Sequence, residues 1–144
     1  MELKIKKLSH NAIIPTYGSE GAAGADLYSC EEELSFAPDE TKLVHTGISM
    51  AIPKGYVGLV YARSGIATKR GLAPANKVGV IDCDYRGEIM VALHNHSSET
   101  QKIDAGERIA QIVITPYLAV DFIESEDLDD TKRGAGGFGS TGIK

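Results

Sequence analysis

Cysteine is scarce in this chain: Cys30 and Cys83 are the only two among 144 residues. Two thiols cannot build the disulfide framework of a small secreted domain, so a reducing, cytoplasmic setting is expected. Long apolar runs are missing too. Met1 to Leu8 alternates charged with aliphatic residues and holds no signal core, and no stretch approaches a membrane span. Basic excess is absent: 15 Lys and Arg stand against 20 Asp and Glu, for a net charge of -5. A general nucleic-acid or membrane-surface binder needs a basic face, so neither partner is expected. A polyphosphate ligand stays open, because a few arginines or a metal ion can reverse the field in one pocket. No metal-type Cys or His spacing occurs. His94 and His96 share a face of a strand, without an evident third ligand.

What is present is the pattern of a β protein. Hydrophobic residues make up 42% of the chain, enough for one domain with a real core. Leu3 and Ile5 alternate with Lys4 and Lys6 in a first strand with one wet face. From Leu34 to Ile52 the alternation assigns Val44, Ile48, Met50 and Ile52 to the core. A turn at Pro53-Lys54-Gly55 leads into a returning strand, Tyr56 to Tyr61, and the two form a predicted hairpin. Ala62 to Gly71 is the one helical stretch, with Ser64 as N-cap, Gly71 as C-terminal cap, and Lys69 and Arg70 in the last turn. Val120 to Ile123 reads as a short last strand. Residues 1–123 are thus expected to form one β domain, and 124–144 an acidic, then glycine-rich tail.

Several stretches carry chemistry. Asn76 to Glu88 starts as an apolar strand, then gathers Asp82, Asp84, Tyr85, Arg86 and Glu88 around Gly87. With Ile89, Val91 and Leu93 following, it reads as a hairpin whose carboxylate and aromatic ring suit a water and a flat ligand, or else an ordinary polar tip. Arg63-Ser64-Gly65 at a helix start offers a guanidinium, a hydroxyl and free N–H groups to an anion, or is a plain capped helix. Asp26 follows small residues that permit close backbone packing, and suits a turn or cap equally. Gln111 interrupts an apolar strand and must find a partner in the protein or in a ligand. The tail holds Arg133 and Phe138 among glycines. It suits a lid whose amides close on phosphate while the ring stacks on a base, or a flexible terminus. Its single Arg and acidic approach weaken an RNA-binding reading.

Five of these stretches, in order from residue 22 to 142, together resemble the trimeric dUTPases. Ala22 to Tyr28 resembles the first motif of that family, and Ala62-Arg63-Ser64-Gly65 the second. Asn76 to Glu88 resembles the third, Gly106 to Gln111 the fourth, and Arg133 to Gly142 the fifth. Ala62 stands where the family has Pro. The resemblance implies an all-β, jelly-roll-like subunit with one short helix, and a homotrimer with sites shared between chains. It implies Mg²⁺-assisted hydrolysis of dUTP to dUMP and pyrophosphate by water attack on the α-phosphorus. Asp82 matches the water-activating carboxylate, Tyr85 the sugar contact, and Asn76 a reader of uracil. Ser64, Gly65 and Gln111 would contact the α- and β-phosphates, supported by Arg63. Arg133, Gly139, Ser140 and Thr141 would hold the far end of the phosphate chain, with Phe138 on the base. Asp26 would be an outer-shell metal partner, through water. The related dCTP deaminases and a non-catalytic nucleotide-sensing or nucleic-acid-binding β domain are the alternatives.

Overall fold

The structure, a computed structural model, describes residues 1–138. The chain begins with β1 (Lys4–Lys7), β2 (Thr16–Tyr17), β3 (Ala25–Tyr28) and β4 (Leu34–Phe36). It continues with β5 (Thr41–His45), β6 (Ile48–Ala51), β7 (Tyr56–Tyr61) and α1 (Ser64–Arg70). Then follow β8 (Leu72–Pro74), β9 (Gly79–Ile81), β10 (Met90–Asn95), β11 (Gln101–Ile103) and β12 (Arg108–Pro116). The fold is all-β with one short helix among the described residues, and its strand pairings are antiparallel. A five-stranded sheet runs β2-β3-β12-β7-β9, and a three-stranded one β5-β10-β8. Two-stranded ribbons pair β1 with β6 and β11 with β4.

Leu27, Phe36, Val44, Leu72, Ile89, Leu93, Ile103 and Ile109 are wholly buried between these sheets. Each such side chain contributes about 1.5–3 kcal/mol of transfer free energy. The expected core face of Val44, Ile48, Met50 and Ile52 is buried, and Leu3 and Ile5 pack against it.

Neither predicted hairpin forms. Tyr56 N–H does donate to Pro53 at 3.1 Å, closing the expected turn. Yet β6 then pairs with β1, while β7 pairs with β12 and β9. Likewise β9 pairs with β7, and β10 pairs with β5 and β8. Alternation reveals which residues form a strand and which face is apolar; it does not name the partner strand. The segment 82–89 therefore crosses between two sheets. The strand expected at Val120–Ile123 is also absent, and Val120, Phe122 and Ile123 are exposed. A strand needs a partner edge to satisfy its backbone groups, and this segment has none among the described residues.

The helix starts one residue earlier than a cap at Ser64 would place it. Arg63, extended at φ -90° and ψ 131°, is its N-cap and makes no side-chain capping bond, so Ser64 is the first helical residue instead of the cap. Gly71 closes it in the left-handed region at φ 69°, with Lys69 and Arg70 in the last turn.

Candidate active site

Asp26 on β3 lies opposite Gln111 on β12, just beyond a register shift between Arg108 and Ala110. Asp26 is 8% exposed, and a carboxylate this buried requires partners. Its Oδ1 accepts from Arg63 Nε at 2.6 Å and its Oδ2 from Arg108 Nη1 at 3.3 Å. Two guanidiniums around one carboxylate leave net positive charge. The Nη groups of Arg63 make no hydrogen bond among the described residues, and its Nε bond fixes the planar fork. Ser64 and Gly65 open the adjoining helix. These groups line a hollow of about 220 Å³ with Gly18, Ala22, Gly24 and Gln111.

Gln111 resolves its strand's polar interruption by donating Nε2–H to the Ala62 carbonyl at 2.9 Å. That bond ties down the loop at Ala62. Gly24 packs against the same amide: a Cβ there would sit 2.5 Å from Gln111 Oε1. Gly24 thus serves close approach, but to a side chain and not to backbone as expected, and a Cβ at Gly21 would meet nothing.

A second region lies between β9 and β10, which are not paired with each other. One edge of β9 is taken by β7. β10 pairs with β5 at Met90–His94 and with β8 only from Leu93 onward, leaving Met90 and Val91 without a strand on that side. A slot of about 110 Å³ separates them, lined by Asn76, Gly79, Val80 and Ile81 on one side and Met90, Val91 and Ala92 on the other. Open strand edges present N–H and C=O groups in one plane, which suits the edge of a flat heterocycle. An adjoining hollow of about 210 Å³ shares Val80, Ile81 and Met90 and adds Leu43, Asp82, Tyr85 and Glu88.

The three acids of the crossing segment differ in their surroundings. Glu88 accepts from Gly47 N–H with Oε1 at 2.8 Å and lies 2.9 Å from His45 Nδ1 with Oε2. Asp84 lines a wider groove with Val57, Leu59, Cys83 and Tyr117. Asp82 borders that groove and the Tyr85 hollow, and its carboxylate makes no hydrogen bond among the described residues. Asp82 alone combines an open carboxylate with a place beside Tyr85.

The arginine hollow and the strand slot share no residue in the chain. Asp26, Arg63, Ser64, Gly65 and Gln111 come together in one, and Asn76, Asp82 and Tyr85 in the other. Arg133 and Phe138 join neither: Arg133 Nε donates to Gly136, and Phe138 is fully exposed. Gly139, Ser140 and Thr141 lie outside the described residues. Sequence reasoning did not single out Arg108, although a cation heading an apolar strand three residues before Gln111 was a usable signal. No group of three or more His, Cys, Asp or Glu side chains suited to a metal occurs among the described residues. His94 is instead bound to Thr41 Oγ1 at 2.9 Å and lies 3.4 Å from Asp39.

Comparison with known proteins places the chain in a family. The dUTPase family model matches residues 10–142. The chain is 52% identical over 142 residues to the deoxyuridine 5'-triphosphate nucleotidohydrolase of Nautilia profundicola, covering 99% of each chain. It is 46% identical over 144 residues to that of a Hydrogenobaculum species, covering 100% of both. Among solved structures, a mutant dUTPase of Staphylococcus bacteriophage 80alpha with dUpNHpp superposes with TM-score 0.91 at 29% identity, covering 99% of each chain. A mutant dUTPase from phage phi11 of S. aureus, described with a structural Mg(II) ion, gives TM-score 0.81 at 27% identity, covering 88% of this chain and 98% of that one. The chain belongs to the dUTPase family.

Proposed function

We propose that this protein hydrolyses dUTP to dUMP and pyrophosphate in sites assembled between chains of a homotrimer, each subunit a jelly-roll-like β body. The carrying observation is that one chain holds an anion-type hollow and a nucleoside-type slot with no residue in common. A second copy brings the two together. Leu43 and Val80, about three-fifths exposed, together with Tyr117 and Leu118, supply apolar surface for such a contact.

Uracil enters the slot between β9 and β10, read by Asn76 and strand-edge backbone groups. Cytosine reverses the donor and acceptor pattern of that edge and leaves buried groups unpaired. Thymine is refused at its methyl group by the narrow slot. Tyr85 lies along the sugar and excludes a 2′-hydroxyl. Asp82 bonds the 3′-hydroxyl and takes a proton from the water that attacks the α-phosphorus. The bond from that phosphorus to the bridging oxygen breaks, and pyrophosphate leaves.

Ser64, Gly65 and Gln111 receive the α- and β-phosphates on the positive field of Arg63 and Arg108. Arg133, Gly139, Ser140 and Thr141 hold the γ-phosphate and Phe138 stacks on the base as the tail closes. Mg²⁺ is the cofactor. Both oxygens of Asp26 are engaged by guanidiniums and no three-ligand cluster occurs among the described residues, so these residues would hold an ion only weakly and the phosphates would have to supply the rest. Asp26 would touch it only through water; bound there, the ion neutralises phosphate charge. The cellular consequence is less uracil in DNA and a supply of dUMP for thymidylate synthesis, in the cytoplasm, with no nucleic-acid or membrane partner.

Gly24→Ala tests the anion hollow. Displacing Gln111 is expected to raise KM for dUTP roughly tenfold, equivalent to about 1.4 kcal/mol of binding. The kcat should fall less, as read by steady-state kinetics. Pyrophosphate release from dUTP, dTTP, dCTP and UTP tests the whole reading. Release from dUTP alone is expected; ammonia from dCTP would indicate a deaminase, and binding without release a sensor.

A further inference from the structure

Tyr85 does not hold its own position. Its hydroxyl donates to the backbone carbonyl of Glu88 at 2.9 Å, and its ring closes over Gly87, where a Cβ would lie 2.4 Å from the phenolic oxygen. Glu88 is in turn tied to a different part of the fold. Its carboxylate spans Gly47 N–H and His45 Nδ1, at 2.8 and 2.9 Å, where β5 gives way to β6. Thr46 Oγ1 donates to the Ile89 carbonyl and Ile89 N–H to Ile48, anchoring the same limb one residue further on. The His45 contact acts on the residue whose carbonyl holds the tyrosine.

We propose that His45 is a positioning residue for sugar discrimination: through Glu88 it fixes the hydroxyl end of Tyr85 beside the nucleoside hollow. The inference rests on the reading of Tyr85 as the group that excludes a 2′-hydroxyl. A steric gate discriminates only as far as it cannot retreat. Retreat of Tyr85 requires its bond to the Glu88 carbonyl to break or that carbonyl to move with it, and the His45 and Gly47 contacts oppose the second route.

The charged and titratable groups around His45 are few. Glu88 faces its ring, and Glu31 accepts from its backbone N–H at 2.9 Å. Cys30 donates its own N–H to the His45 carbonyl, and its thiol is pushed up by burial, then by Glu88 and Glu31. From β10 the residue in register is Met90, which is apolar. The hydrogen bond to Glu88 holds the His45 imidazole above its ordinary value, with burial opposing. A raised folded value means the imidazolium–carboxylate pair is complete below about pH 6.5 and weakens as pH climbs through the raised value. The gate therefore loosens on the alkaline side. The His45 side chain is 46% exposed and that of Glu88 22%, so solvent screens the pair and its effect is modest.

The experiment measures kcat/KM for dUTP and for UTP on the full-length protein from about pH 6 to about pH 9, bracketing histidine titration. His45→Ala is expected to lower the dUTP:UTP ratio roughly threefold at the acidic end, the scale of a screened pair. It should also flatten the pH dependence of that ratio while leaving kcat for dUTP within about twofold. Glu88→Ala should lower the ratio further. Glu88→Gln should retain most of it, since an amide can still accept from Gly47 and donate to a neutral imidazole. Tyr85→Ala serves as the reference, with the ratio collapsed at every pH, and thermal unfolding reports the fold of each variant. If Tyr85→Ala collapses the ratio while His45→Ala keeps both its size and its pH dependence, the positioning role is overturned. If Tyr85→Ala itself leaves the ratio intact, the sugar-gate reading fails, and this inference fails with it.

Discussion

Asp82→Asn is expected to bind dUTP with near-normal affinity and to lose turnover by roughly 10²–10⁴-fold, the span of a general base. The asparagine keeps a carbonyl oxygen for the 3′-hydroxyl but cannot take a proton from water. The choice among three acids rests on their surroundings. Glu88 has both oxygens engaged by Gly47 and His45, and Asp84 borders the wider groove instead of the tyrosine hollow. Single-turnover kinetics with a binding isotherm checks the result. Turnover within a few-fold of the parent would remove Asp82 from the role, and Asp84→Asn would be the next variant to measure.

Truncation after Asp130 is expected to leave the folded assembly intact and to cut kcat/KM by roughly 10²-fold or more, through lost phosphate positioning and closure. Glu124–Asp130 is exposed throughout, and Arg133 bonds only within its own turn among the described residues. The described residues of the removed segment, 131–138, are exposed or half-buried, so their removal costs little packing. An unchanged unfolding midpoint with strongly reduced activity supports the lid, whereas full activity from the shortened chain contradicts it.

The sequence carried the local structure and the chemistry of this chain better than its connections. Val44, Ile48, Met50 and Ile52 are buried as apolar alternation predicts, although Thr46 and Ser49 between them are buried too. Gly71 ends the helix in the left-handed region, where a residue without Cβ is at ease. The failures concern partners. β9 and β10 read as two arms of one hairpin, yet they belong to different sheets. The gap that results is the slot, so the misreading falls on the feature proposed to take the base. The Val120–Ile123 pattern was apolar enough for a strand, but no strand edge or apolar surface among the described residues covers it. Ser64 was read as a cap because its side chain suits that role; the backbone turns into the helix one residue earlier, leaving Arg63 extended and bonded to Asp26. Asp26 was legible as an acid in a tight place. Its two arginine partners lie 37 and 82 residues away in sequence, beyond what local pattern reveals.

The assembly of each site from two chains is tested most directly by mixing two inactive variants, Asp82→Asn and Arg63→Ala, through reversible dissociation and reassembly. If Asp82 and Arg63 meet from different chains of a cyclic trimer, random mixing of equal amounts restores both residues at about a quarter of the sites. Activity should then return to about that fraction of the unmutated protein, although neither variant is active alone. If the two residues serve one site from the same chain, every site keeps a defect and the mixture stays inactive, which would contradict the shared site.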